Sequence, residues 1–289
     1  MGNLWHRVRV GSLALLACLA GGCASENWAR GKAAWDAGDY ATAATMLESA
    51  AAHGDARADY LLGLMHEEGQ GMPPDASAAA CCYERAAALG HPAASNNLGL
   101  MCFQGRGTAK DMARAREHYE TAAASGFAPA QNNLAVMLLY GLGGSADQRR
   151  AEDLLRSAGT AGYAKSQALL GTIYFEGLGV EKDLVEAEHW YRLAAEQDVA
   201  TAQMRLGWIL LQQNASAPSD EEAALWLQRS ASLGNAAAQH NLALLYLQGR
   251  GVLRDRAIAT MWLERAAAQG WEPAREKLAV VTAATPIAR

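Results

Sequence analysis

Glycine recurs along this chain with a step of 36 residues, and this period constrains the fold more than any other feature of the sequence. One column follows the step or its double, at Gly54, Gly90, Gly126, Gly162, Gly234 and Gly270. A second column pairs leucine with a small residue, at Leu62-Gly63, Leu98-Gly99, Leu134-Ala135, Leu170-Gly171, Leu206-Gly207 and Leu242-Ala243. Because separate columns keep one register over most of the chain, the sequence predicts an array of repeated structural units.

The copy from Gly162 to Asp198 shows what each unit contains. Its first half has apolar residues at the spacing of one helix face, as at Leu170 and Tyr174, and its second half repeats that pattern. Gly177 lies between the halves, where a residue without Cβ permits the left-handed backbone of a tight reversal. The sequence therefore predicts pairs of helices that bury their apolar faces against neighbouring pairs. The small residue beside each leucine lets the two helices of a pair approach closely.

Aspartate recurs where each second helix should begin, which is the position of an N-cap. These residues are Asp75, Asp111, Asp147, Asp183 and Asp255. Glu186 follows Asp183 by three residues and predicts a capping box. In the fifth copy Ser219 is predicted to take over the N-cap role, and Asp198 occupies the slot of the terminal glycine. Asn214 lies where that copy lacks its turn glycines, so we expect a longer first helix or a local irregularity there.

The residue types and spacing within one unit resemble the Sel-like repeat family, whose members are relatives of the tetratricopeptide repeats. The motif residues are Ser166, Leu170-Gly171, Tyr174, Gly177, Gly179-Val180, Asp183, Ala187, Trp190-Tyr191 and Ala194-Ala195. The resemblance covers about six copies, from Asp55 to Gly270. It implies an all-α fold, a right-handed α-solenoid of antiparallel helix pairs with a 36-residue repeat, which acts as a scaffold for protein contacts. It also implies a protein that is not an enzyme.

Residues 1–22 have the pattern of a signal peptide, with a basic start and an apolar run too short to span a bilayer. Small residues directly before Cys23 resemble the bacterial lipobox, whose cysteine is acylated and becomes the new N-terminus. Each buried CH₂ of an acyl chain stabilises membrane association by about 0.8 kcal/mol. By analogy, Ala24 after that cysteine favours the outer membrane of a Gram-negative cell, with plain secretion as the alternative.

The rest of the chain divides into three predicted parts. Residues 24–54 resemble a tetratricopeptide hairpin that caps the array, residues 55–270 hold the six repeats, and residues 271–289 form a capping helix and a tail. Because no Pro- or Ser-rich linker interrupts the array, we predict one continuous domain after signal removal.

The formal net charge is −5 and no basic run is present, which argues against nucleic acid as a partner. Three cysteines remain after the signal and the lipidated residue are set aside: Cys81, Cys82 and Cys102. They are either buried free thiols or contain one bridge, which joins Cys102 to Cys82 or to Cys81.

We find no pattern typical of catalysis, of a metal site or of a cofactor site. His66-Glu67 is not followed by a second histidine at metal-ligand spacing. The paired glycines lie between predicted helices, whereas a dinucleotide fingerprint needs a preceding strand.

Within the resemblance, the first helix of each pair lines a concave surface, and its polar residues are candidates for a partner-binding groove. These candidates are Asn97, Asn133, Arg205, His240, Asn241, Gln104, Tyr140, Glu176 and Gln248. A ladder of amides can hold an extended peptide because each amide offers both a donor and an acceptor. Alternatively, the asparagines bond to the neighbouring helix and have a structural role.

These expectations favour a lipid-anchored scaffold or adaptor on the periplasmic face of the outer membrane, which binds proteins of the cell envelope. One alternative is an enzyme acting on cell-wall or β-lactam substrates, although the cysteine-rich relatives credited with that activity carry regular cysteine pairs that are missing here. Another is a periplasmic regulator that holds a sensor protein with the same surface.

Overall fold

The computed structural model describes residues 24–213 and 217–283, and these residues form helices and turns without a β-strand. The helices are α1 (24–36), α2 (Tyr40–Ala52), α3 (Ala56–Glu68), α4 (Ala76–Ala88), α5 (Pro92–Gln104), α6 (Met112–Ala124), α7 (Ala128–Tyr140), α8 (Gln148–Thr160), α9 (Ala164–Glu176), α10 (Leu184–Ala195), α11 (Ala200–Gln213), α12 (Ala217–Ser232), α13 (Ala236–Gln248), α14 (Arg256–Ala268) and α15 (Glu272–Ala283). Odd numbers are the first helices of the predicted pairs and even numbers the second. The predicted all-α class is confirmed. The predicted signal peptide, Cys23, Asn214 and the tail from residue 284 lie outside the described residues.

The chain divides into two compact units, the first ending at Ala151 and the second beginning at Glu152. The predicted division into a cap, six repeats and a C-terminal helix in one continuous domain stays a prediction. Within each unit consecutive helices pack against each other, as expected for the predicted right-handed α-solenoid of antiparallel pairs. First helices of neighbouring repeats also contact each other, α5 with α7 in the first unit and α9 with α11 in the second. A face made of first helices therefore exists in each unit.

The predicted aspartate caps are confirmed. The Asp75 side chain accepts hydrogen bonds from the backbone N–H groups of Ser77 and Ala78, at 2.9 and 3.0 Å. The other aspartates of the column accept equivalent bonds, at Asp111, Asp147, Asp183 and Asp255. Such a cap satisfies N–H groups that have no partner inside the helix, and is worth about 1 kcal/mol.

Two of the predicted capping details are wrong. The backbone N–H of Asp183 donates to the carbonyl of Tyr174 at 3.0 Å, so it is not available for a capping box. Glu186 instead accepts a bond from the indole of Trp190 at 3.1 Å. Ser219 lies inside α12 and is therefore not an N-cap residue.

The fifth repeat differs from the others in its described residues, whereas the irregularity predicted near Asn214 stays a prediction. Helix α11 has 14 residues and α12 has 16, whereas most of the other helices have 13. Asp198 keeps the left-handed backbone of the glycine that it replaces, with φ of 58°, and is the one non-glycine residue of positive φ among those described. That conformation costs most L-residues roughly 1–2 kcal/mol, although Asp tolerates it better than others.

Close contact between a glycine and a tyrosine holds the two helices of several repeats together. A Cβ added at Gly171 of α9 would lie 2.5 Å from the ring of Tyr191 in α10. At Gly99 the distance to the ring of Tyr119 would be 2.8 Å. Since real Cβ atoms do not approach a ring so closely, the glycine makes room for the aromatic side chain, which confirms the predicted close approach.

The two side chains at this contact differ in size from repeat to repeat. In the sixth repeat alanine and leucine, Ala243 and Leu263, occupy the equivalent positions and are both fully buried. In the fifth repeat Gly207 faces Leu227, and an added Cβ would lie 2.8 Å from the leucine Cγ. Glycine with tyrosine and alanine with leucine therefore both occur at this contact.

A column of buried glutamines joins successive pairs, and the sequence analysis did not identify it. In the second unit each Nε2 donates to a carbonyl in the last turn of the preceding second helix. These bonds link Gln167 to Gly159, Gln203 to Ala195 and Gln239 to Ala231, at 2.9, 3.0 and 3.1 Å. Each of these carbonyls also accepts a backbone N–H from the residue three positions later, so the glutamine is a second donor that ties the helix end to the next pair.

Each of these glutamines is buried, so its side-chain oxygen also needs a hydrogen-bond donor, which Gln203 lacks in the described part of the chain. The Oε1 atoms of two glutamines accept bonds from residues 30 positions further on, Gln167 from Gln197 at 2.7 Å and Gln239 from Gln269 at 2.8 Å. The residue in that position of the fifth repeat is Leu233, which is 53% exposed. The Oε1 atom of Gln203 is consequently buried without a hydrogen-bond partner among the described residues.

We predict that Gly171→Ala lowers the free energy of unfolding by about 1–3 kcal/mol, because the new methyl group collides with Tyr191. Gly207→Ala should cost less than about 1 kcal/mol, since Leu227 is flexible and alanine favours a helix over glycine by roughly 1 kcal/mol. Urea unfolding followed by circular dichroism compares the two. Adding Tyr191→Leu to Gly171→Ala should recover stability, and equal losses in the two single variants would contradict the explanation.

We predict that Leu233→Gln raises the free energy of unfolding by about 1 kcal/mol, because it gives the buried oxygen of Gln203 a donor. Leu89→Gln is the matched control. Leu89 is 53% exposed and lies 30 positions after Asp59, but that carboxylate already pairs with Arg85 at 2.6 Å. Urea unfolding should show an unchanged free energy of unfolding in Leu89→Gln. A gain of the same size in both variants would contradict the prediction.

One cap of the first unit depends on pH. The Nδ1 atom of His91 accepts a hydrogen bond from the N–H of Ala94 at 3.3 Å, and its ring stacks on Tyr60 with centroids 4.5 Å apart. Burial lowers the pKa of His91 from 6.5, and the nearby Asp55 opposes this effect only in part. The unfolded chain therefore takes up the proton first. This cap contributes its full stability above pH 6.5 and loses it as pH falls toward the lower pKa of the folded protein.

We predict that His91→Asn removes this part of the pH dependence while keeping the cap. Asn235 occupies the equivalent position of the sixth repeat, and its side chain caps α13 by accepting from Ala238 N–H at 2.9 Å. Urea unfolding from about pH 7 to about pH 5 should show a smaller loss of stability in the variant than in the wild type. Parallel losses in both proteins would rule out His91 as the titrating group.

Candidate functional site

The first-helix face of the first unit carries an amide network, which consists of Asn96, Asn97 and Asn133. Asn133 Nδ2 donates to Asn96 Oδ1 at 3.0 Å, and Asn96 Nδ2 donates to Asn97 Oδ1 at 3.3 Å. Asn96 is buried, whereas the other two are half-buried. The structure thus brings together two candidate groove residues through a third that the sequence analysis did not consider.

The amide network continues into the neighbouring repeat. The Asn97 side chain is within hydrogen-bonding reach of Tyr60 and Tyr83, and this bond partly offsets the burial that raises the pKa of each phenol. The Tyr83 hydroxyl donates to Glu67 at 2.6 Å, and Glu67 also pairs with Arg106. Much of this amide network is therefore bonded to neighbouring helices. This agrees with the alternative in which the asparagines have a structural role.

The first-helix face of the second unit has a different chemistry, centred on the ring of Phe175. The guanidinium of Arg205 lies 4.8 Å from the ring centroid, and the ammonium of Lys182 lies 5.2 Å from it. Trp208 meets the same ring edge-on at 5.2 Å and leaves 37% of its own surface exposed. Arg205 also lies 3.5 Å from Glu176, so two more of the predicted groove residues are neighbours.

Beside this cluster lies a cleft of about 430 Å³ between α9 and α11, which we call the cationic cleft. Its lining residues are Lys165, Ala168, Leu169, Thr172, Tyr191, Thr201, Met204 and Arg205. Lys165 is exposed and makes no hydrogen bond or ion pair with any residue that the structure describes. Two cations and a mainly apolar floor therefore face solvent at one place. The sequence analysis included Arg205 but missed Lys165, although both stand on first helices.

The remaining candidates do not form a common site. His240 and Asn241 lie half-buried on α13, and burial together with Lys277 lowers the pKa of His240. Four candidates are each the last residue of a first helix and are exposed there: Gln104, Tyr140, Glu176 and Gln248. What these four share is their place at the exposed end of a first helix.

The three described cysteines are free thiols, so neither bridge, from Cys102 to Cys82 or to Cys81, is formed in the structure. Both of these residues are buried, and burial raises the pKa of each thiol, which keeps it protonated. Cys81 is exposed. In the structure Cys82 and Cys102 are therefore buried free thiols at packing positions, which is one of the alternatives given by the sequence.

The described residues contain no cluster of three His, Cys, Asp or Glu side chains that could hold a metal ion. None of the helices within residues 24–213 and 217–283 combines the length and the apolar character needed to cross a membrane.

The profile of the Sel1 repeat matches this chain in six consecutive segments, at residues 56–91, 92–127, 128–163, 164–199, 200–235 and 236–271. Among solved structures, c5321, a protective antigen of uropathogenic Escherichia coli with an SLR fold, is similar, with 31% identity and a TM-score of 0.83. The match covers 88% of this chain and 56% of c5321, so the chain spans little more than half the length of that relative.

A Sel1 repeat protein from Oxalobacter formigenes is also similar, with 29% identity and a TM-score of 0.73 over 83% of this chain and 96% of that one. No curated protein sequence matches the chain. Six contiguous repeat matches, on the same helix pairs that the structure contains, show that this chain belongs to the Sel1 repeat family.

Proposed function

We propose that this protein is a lipid-anchored scaffold or adaptor of the bacterial cell envelope, held at the periplasmic face of the outer membrane. Sel1 repeat proteins generally mediate protein–protein interaction, and the family is typically a non-catalytic scaffold. The proposed anchor is an acylated Cys23, on the lipobox-like pattern that precedes it. The proposed partner is another protein of the envelope.

The observation that carries the proposal is the exposed aromatic and cationic surface on the first helices of the second unit. Trp208 leaves more than a third of its surface in solvent, beside Phe175 and the guanidinium of Arg205. Tryptophan and arginine are enriched among the residues that dominate binding energy at protein interfaces. An exposed indole held by a buried ring is ordered before a partner arrives, so its ordering costs little on binding.

The first unit supports the same function in a different way. Its amide network fixes the side chains of Asn97 and Asn133 at the edge of the first-helix face, where each remains half-exposed. Partly exposed amides offer polar groups to a peptide backbone. Because much of the network is engaged internally, we assign the larger share of the binding energy to the second unit.

We predict that Trp208→Ala abolishes recovery of a stoichiometric envelope partner after cross-linking of cells and solubilisation in detergent. Leu253→Ala serves as the matched control, because Leu253 is 91% exposed in a loop and contacts little. Mass spectrometry identifies the partner, and circular dichroism confirms that both variants fold. Recovery of the partner in equal amounts with both variants would place the binding surface elsewhere.

The same cells test the anchor. Cys23→Ser should move the protein from the membrane fraction to the soluble periplasmic fraction, because it removes the acyl chains. Cys18 is the other cysteine of this region and lies inside the predicted signal peptide, so a Cys18→Ser variant should stay with the membrane. If both serine variants remained in the membrane fraction, the lipid anchor at Cys23 would be refuted.

A further inference from the structure

We propose that the cationic cleft between α9 and α11 binds an acidic, extended segment of a partner protein, with carboxylates at Lys165 and Arg205 and an apolar side chain between them. This inference rests on the proposed scaffold function and names the chemistry of the partner. It concerns the second unit alone.

The charge of the cleft is opposite to that of the protein as a whole. The chain carries a net charge of −5, yet Lys165, Lys182 and Arg205 all lie on or beside this face. Glu176 is the one acidic residue shown in contact with these cations in the described part of the chain. A local surplus of positive charge on an acidic protein attracts acidic segments selectively and leaves other surfaces repulsive to them.

The two cations of the cleft have spare capacity for an anion. Lys165 has no partner among the described residues. The closest approach of Arg205 to Glu176 is 3.5 Å, which is looser than the 2.9 Å between Arg192 and Glu188 on the neighbouring second helix. A guanidinium presents five N–H donors, so Arg205 can bind a second carboxylate without leaving the first.

The floor of the cleft suits an apolar side chain. Leu169 and Met204 are half-buried there, and methionine adapts its shape to what packs against it. Trp208 stands one helical turn after Met204 and adds an exposed aromatic face. A volume of about 430 Å³ accommodates a few side chains of an extended peptide and is too small for a folded domain.

The first unit lacks this chemistry at the equivalent positions. One repeat before Lys165 the chain has Pro129, and two repeats before it has Ala93. Asn133 and Asn97 occupy the first-unit positions in the column of Arg205. Three repeats before Lys165 stands Arg57, which is also a cation, but its guanidinium already pairs with Asp55 at 2.7 Å. Among the described residues, the combination of an unpaired lysine in this column with an arginine in the next is therefore found in the second unit.

A pair of short fluorescein-labelled peptides tests the proposal with the full-length protein in detergent micelles. One peptide has the sequence Gly-Ser-Glu-Glu-Leu-Glu-Glu-Leu-Gly-Ser, and in the other each glutamate is replaced by glutamine. Fluorescence anisotropy should show at least tenfold tighter binding of the glutamate peptide. Its affinity should fall as the salt concentration rises, because exposed charges are screened. Equal affinity for the two peptides, or no binding of the glutamate peptide, would overturn the assignment.

Charge reversal locates the site. Lys165→Glu with Arg205→Glu should weaken binding of the glutamate peptide at least tenfold. The control is Arg229→Glu with Arg265→Glu, which changes the net charge equally at two exposed arginines of second helices. Lys165→Gln with Arg205→Gln gives a second, milder test if the reversed variant unfolds. Equal losses in the reversed variant and its control would mean that net charge, and not this cleft, determines binding.

The outcome is separable from that of the proposed function. An envelope partner that is lost with Trp208→Ala but retained with the double charge reversal leaves the scaffold function standing and removes this assignment alone. Failure to recover any partner, together with specific binding of the glutamate peptide, would support the cleft and contradict the envelope partner.

Discussion

The close approach of two helices within a repeat is the contact on which the rest of this structure depends. At Gly63, Gly99 and Gly171 the missing Cβ admits a tyrosine ring from the second helix. Tyr83 and Tyr191, which fill two of these spaces, are among the largest fully buried side chains. With only 7% aromatic residues in the chain, the other large side chains of the core are leucine, methionine and isoleucine. Its packing relies on short distances between helices, where dispersion contacts are most effective.

The features that the sequence predicted correctly are those in which one residue type is the local physical requirement. A left-handed turn needs glycine, and an exposed helix start needs an aspartate or a similar acceptor, so both recur visibly with the period. Even Asp198, an exception in composition, keeps the backbone of the glycine column. Ser219 was misassigned because it lies inside α12, after Ala217.

The features that the sequence did not predict depend on pairs of side chains from different helices. The glutamine column is visible as a period, but its role appears only when Gln167 is seen to bridge Gly159 and Gln197. In the same way, Asn97 and Asn133 were chosen as groove residues, while buried Asn96, which connects them, was passed over. The column of Lys165 repeats no single residue type, so Lys165 became a candidate only as a wall of the cationic cleft. Function in a repeat protein depends on such departures, because the periodic residues are committed to packing.

The buried, unpaired oxygen of Gln203 has a consequence for how the second unit unfolds. In a linear array each repeat is held only by its neighbours, so stability is a sum of local terms, and the weakest interface determines where cooperativity breaks. The fifth repeat combines that lost hydrogen bond with the left-handed aspartate before α11. We therefore expect partial opening to begin at this repeat, and the helices on either side of it to exchange their amide protons as separate cooperative blocks. The cationic cleft shares α11 with this weak interface, so a ligand in the cleft would stabilise the block that opens most readily.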